Sequence, residues 1–79
     1  MLYAVQARNA EVGDRVFLGT RTGQITDKAH VEVEHLRERG DETVIDEIIE
    51  YVDFVLTFRG STTTELLRAE PVATLVVDR

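Results

Sequence analysis

The sequence predicts a small, mainly β domain: a half-open barrel of about five strands, with a short helix as one reading of residues 42–51. Three observations lead there. Val52-Asp53-Phe54-Val55-Leu56-Thr57-Phe58 is rich in β-branched and aromatic residues, and Arg59-Gly60-Ser61 punctuates it before Thr62 to Leu67 returns. Pro71 breaks the chain ahead of a last apolar stretch, Val72 to Val77. His30-Val31-Glu32-Val33-Glu34-His35 alternates polar and apolar residues at the two-residue period of a strand.

The remaining elements follow in chain order. Leu2 to Ala7 has β-compatible residues, and Asn9 to Asp14 connects them to a short strand, Arg15 to Leu18. Gly19 to Gly23 is a polar turn, after which Gln24-Ile25-Thr26 begins a third strand. In the alternating segment Val31 and Val33 are expected to face the core and His30, Glu32 and Glu34 to face water. Arg39-Gly40-Asp41 is a turn.

Residues 42–52 admit two structures. Val44, Ile45, Ile48, Ile49 and Val52 form a helical stripe, and acids near the start suit the helix dipole. The apolar residues are nevertheless mostly β-branched, and Glu50 and Asp53 would sit at the negative end. A strand with a bulge also fits; the helix is the reading adopted. For the C-terminal hairpin, a two-residue Gly60-Ser61 turn pairs Leu56 with Glu65, and a three-residue loop pairs Leu56 with Leu66. The second sets apolar groups opposite each other and is the expected register.

Composition narrows the chemistry. Seventy-nine residues make one domain, residues 1–79, with a small core and a tendency to gain stability by oligomerising. The chain has no cysteine, which removes disulfides, thiolate metal sites and thiol nucleophiles and suits a reducing compartment. No apolar run approaches the ~20 residues of a membrane helix, and the first residues lack the basic start of a signal peptide. A cytoplasmic location is expected, with no membrane partner.

The net charge of −6 is unevenly spread. Residues 31–53 carry nine acidic and two basic groups, while the flanking thirds are nearly balanced. Without a basic stripe, direct nucleic-acid binding is not expected. A basic protein surface is the natural partner for such a segment. Asp41, Glu42, Asp46, Glu47 and Glu50 are therefore the candidate partner-binding residues. In a helix, Glu42, Asp46 and Glu50 line one side.

Catalytic readings are weaker. His30, Glu32 and Glu34 share a strand face, but same-face neighbours are about 7 Å apart, too wide for close chelation. Asp53 lies between apolar neighbours with no recognisable pocket. Ser61, the only serine, sits at a turn tip. Gly19-Thr20-Arg21-Thr22-Gly23 lacks the Gly-Lys-Ser/Thr ending of a phosphate loop. No catalytic residue, cofactor or metal is assigned, and an enzyme is not expected.

Two stretches carry a family resemblance. Ala7-Arg8-Asn9-Ala10-Glu11-Val12-Gly13-Asp14-Arg15-Val16 resembles the opening "x-x-Leu-x-x-Gly-Asp-x-Val" of many small SH3-like barrels, with Ala10 at the larger apolar position. Phe54 to Thr63, running on to Glu70-Pro71-Val72, resembles the "Val-x-Leu-x-Phe-x-Asp-Gly-x-Thr … Pro-Val" stretch of small β-barrel proteins of actinobacteria and their phages, with Arg59 in place of the turn Asp. The resemblance covers the two ends and leaves the acidic middle unmatched. It implies an SH3-like barrel and an accessory or binding role, and supplies no catalytic residues. The expected function is a non-enzymatic interaction module presenting an acidic surface to a protein partner and working as a homo-oligomer. The alternatives are a self-assembling, virion-type structural protein and a DNA-mimic inhibitor of a host nucleic-acid-binding protein. A phage-encoded chain would act in the host cytoplasm.

Overall fold

The computed structural model describes residues 1–79 as one antiparallel sheet of six strands. They are β1 (Leu2–Gln6), β2 (Arg15–Leu18), β3 (Arg21–Arg39), β4 (Glu42–Phe58), β5 (Thr64–Ala69) and β6 (Thr74–Asp78), with a single 3-10 turn at Ala7–Asn9. The order across the sheet is β1-β6-β2-β3-β4-β5, and the sheet is not closed: β1 and β5 are its edges.

The expected helix over 42–51 is absent, because those residues belong to β4. The ladder between β3 and β4 slips between His35 and Leu36, leaving Asp46 as an unpaired extra residue. This bulge explains the helix-like spacing. Ile45 and Ile48 project to one face with the inserted Asp46 between them, while Val44 and Ile49 lie on the other. Two strand faces joined by a bulge imitate one helical stripe, and the β-branched side chains favour the strand.

A second bulge corrects the expected facing of residues 30–34. Ile25 pairs with Leu56, but Asp27 pairs with Val55, so Thr26 is the extra residue. Its hydroxyl donates to the Val55 carbonyl (3.2 Å). The insertion inverts the alternation beyond it. Lys28 and His30 thus share the core-bearing inner face with Phe54 and Val52, and Val31 and Val33 share the outer face with Tyr51 and Ile49.

The C-terminal register also differs from expectation. Leu56 pairs with Glu65 and Val55 with Leu66. The Ser61 amide donates to the Phe58 carbonyl (3.0 Å), and Gly60 takes a positive φ of 80° between them. This register sets Phe54 beside Leu67 and Val52 beside Ala69 on the inner face. Glu65, opposite buried Leu56, is met by the Arg21 guanidinium at 3.2 Å. That guanidinium also stacks on Phe58, 3.9 Å from the ring centroid. A charged residue is tolerated opposite Leu56 because an arginine from β3 covers the rim of the core.

The core is small. Ala7, Ala10, Val16, Ile25, Val52, Phe54, Leu56, Phe58 and Val77 are its buried apolar residues, and none lies between residues 26 and 51. Gly23 is buried among them because it faces Phe58 across the ladder: a Cβ there would stand 2.9 Å from the ring. Asp14 is the one buried charge. Its carboxylate accepts from Arg79 Nε (3.1 Å) and from the Glu11 amide (2.9 Å). Burial pushes its pKa up, but these hydrogen bonds and the Arg79 charge outweigh that and hold it below the usual carboxylate value.

Gly23→Ala is expected to lower unfolding stability by about 1–3 kcal/mol, read from urea denaturation, through overpacking against Phe58. Asp14→Ala is expected to cost about 1–3 kcal/mol by stranding the Glu11 amide and Arg79. A carboxylate with a lowered folded pKa adds stability above its unfolded value, and that stability is lost as pH falls through the folded one. The wild type should therefore lose stability as pH drops below the carboxylate range, and Asp14→Ala should lose less over the same interval.

Candidate functional site

Strands β3 and β4 run far beyond the rest of the sheet. On one side β2 supports β3 only to Gln24, and the Gly13–Asp14 backbone adds two hydrogen bonds to Ile25. On the other side β5 supports β4 only from Val52 onward. Residues 30–39 and 42–51 therefore form a two-stranded arm with both edges open, about 34 Å long at the usual rise per residue. The molecule measures 53 × 27 × 20 Å. Its radius of gyration is 15.8 Å, against roughly 12 Å for a compact chain of this length.

The arm ends in a Gly40-Asp41 turn, where Arg39 pairs with Glu42. Gly40 takes φ 64° and Asp41 keeps a negative φ, as a tight turn with glycine first requires. At the root, Lys28 Nζ donates to the Arg8 carbonyl (2.7 Å). A cleft of about 590 Å³ opens there between Arg8, His30, Glu32, Glu50 and Tyr51.

All five residues singled out from the sequence, Asp41, Glu42, Asp46, Glu47 and Glu50, lie exposed on this arm. They do not form the expected helical row. Asp41 is in the tip turn, Glu42 faces Arg39, Asp46 is the bulge residue, Glu47 faces His35, and Glu50 faces Glu32. From Glu42 to Glu50 the strand spans about 27 Å, so the carboxylates are distributed along the arm and over both faces. Residues 30–51 hold eight acidic and two basic groups, against seven of each in the rest of the chain. The entire net charge is thus carried by the arm. Asp46 alone among its acids has an ion-pair partner, Arg37 at 3.3 Å.

Three further residues belong to this surface. Leu36, Ile45 and Ile48 are 60%, 56% and 53% exposed and share one face, with Leu36 opposite Ile45. Ile45 and Ile48 read as the buried stripe of a helix in the sequence. The β-branched run was the signal that placed them on an open strand instead. No group of three or more His, Asp or Glu side chains is arranged to hold a metal ion, and His30, Glu32 and Glu34 follow one another along the ribbon. Asp53 is committed elsewhere: Arg68 grips it at 2.8 and 2.9 Å, and these hydrogen bonds, against a smaller opposing effect of desolvation, lower its pKa. Arg68 also lies over Tyr51, 5.1 Å from the ring centroid.

No protein-family model matches the chain, and no match was found among curated proteins or among solved structures. No helix is long and apolar enough to cross a membrane.

A two-stranded ribbon without a packed layer is marginally stable in water. In the isolated chain, amide hydrogen exchange is expected to be fastest over 30–51 and slowest at Val16, Ile25, Val52, Phe54 and Val77. Uniform protection along all of β3 and β4 would contradict an unsupported arm.

Proposed function

We propose that the chain is a non-enzymatic interaction module whose arm, residues 30–51, holds a protein partner with a basic surface. One observation carries this reading: an exposed apolar triad, Leu36, Ile45 and Ile48, is set within a ribbon that carries the whole net charge and leaves all but one of its carboxylates unpaired. Apolar contact supplies affinity at the centre of such a surface, and the surrounding charge selects a partner and speeds encounter. Charge on open strand edges also discourages random edge-to-edge pairing, which an arm kept available for one partner requires. The SH3-like reading of the body, and an accessory role in an actinobacterium or its phage, accompany this proposal through the resemblance at the two chain ends.

The test is charge reversal on the arm. Glu42→Lys, Glu47→Lys and Glu50→Lys together should reduce capture of a basic partner from the native host at least about tenfold, and high salt should do the same to the wild type. The three positions are exposed, so the thermal midpoint should shift little. Capture that is indifferent to both reversal and salt would defeat the proposal.

A further inference from the structure

The far end of the same ladder carries the complement of the arm. Gln24 pairs with Thr57 there, about 50 Å along the strands from the Arg39–Glu42 pair at the tip. Arg15, Thr22, Gln24, Thr57 and Arg59 line a shallow cleft of about 350 Å³ that contains no acidic residue. Arg59 makes no ion pair within the chain, and Arg15 makes no direct one: Asp78, opposite it in the ladder and near enough to feel its charge, is held by the Met1 amine at 2.8 Å. Beside them, Phe17 and Val76 are 40% and 41% exposed. They lie one step beyond the Val16–Val77 pair, on the outer face that Arg15 shares. An apolar pair flanked by two exposed arginines thus stands at one end of the molecule, and an apolar triad flanked by unpaired carboxylates stands at the other.

We infer that the occupant of this end is the arm tip of a second copy of the chain, so that subunits join head to tail. This rests on the docking reading of the arm and names its partner. The chain cannot satisfy the match within itself, because the paired strands hold tip and cleft apart. A symmetric contact of arm on arm would set carboxylates against carboxylates, which the arm's charge disfavours. Head-to-tail contact joins opposite charges and covers both apolar groups. Such a contact joins two different patches, and therefore builds rings or filaments rather than a closed twofold dimer.

A charge-swap experiment on the full-length chain tests it, with mass read by sedimentation and light scattering. The wild type should associate with rising concentration and dissociate in high salt. Arg15→Glu with Arg59→Glu, and separately Glu34→Arg with Glu38→Arg, the carboxylates on the face of the apolar triad, should each weaken association at least about tenfold. Mixing the two variants should restore a complex, since the basic arm of one then meets the acidic end of the other. Circular dichroism confirms that each variant is folded, and Leu36→Ser with Ile45→Ser gives a charge-neutral variant that should also dissociate. A wild type that stays monomeric at every concentration, reversed variants that associate as the wild type does, or a mixture that remains monomeric would overturn head-to-tail docking. A monomeric wild type that still captures a foreign basic protein in a salt-dependent way would overturn it while leaving the docking function of the arm intact.

Discussion

The pairing of β3 with β4 is the constraint on which the rest of the structure depends. At one end it sets Ile25 beside Leu56 and Gly23 under Phe58, which builds the centre of the core. At that same end it receives β2 on one side and β5 on the other. Beyond that it continues alone. One long ladder therefore serves as core, scaffold and arm, and its length separates the acidic tip from the arginine-lined end. A chain of this size buries a modest fraction of its surface, and this one concentrates that burial in less than half of its longest ladder.

Much of the scaffold was legible from residue type. The β character, the Gly40-Asp41 turn and the C-terminal hairpin all follow from β-branched runs and glycine punctuation. What escaped was phase. Each bulge adds one residue to one strand: the spacing over 42–52 admits a bulged strand beside the helix, whereas Thr26 is an ordinary strand residue that marks nothing. Yet each inverts the facing of everything after it. The misassigned helix at 42–51 and the inverted facing of Val31 and Val33 share that cause. The register at Leu56 failed differently. Matching apolar residues across strands took no account of Arg21, which comes from a third strand to satisfy Glu65 and cap Phe58.

The candidate site was legible in charge and illegible in shape. Counting acids located the charged segment, because net charge needs no knowledge of conformation. Its form as a projecting ribbon depended on where β2 and β5 stop, which is a property of their neighbours. The apolar triad was visible only as a pattern that suggested burial. Exposure of Leu36, Ile45 and Ile48 arises because no third strand or helix reaches them.

The bulge at Thr26 has a consequence for how such a molecule changes over time. Because it stands at the junction of body and arm, a single-codon deletion there would leave the body's inner face filled. It would also leave the faces of the arm as they are, because Asp27 would then follow Ile25 in regular alternation and keep its place opposite Val55. In an unbulged ladder a lost residue reverses every side chain beyond it, whereas the bulge absorbs the loss. The junction is thus a point where chain length can change while the facing of the arm is kept.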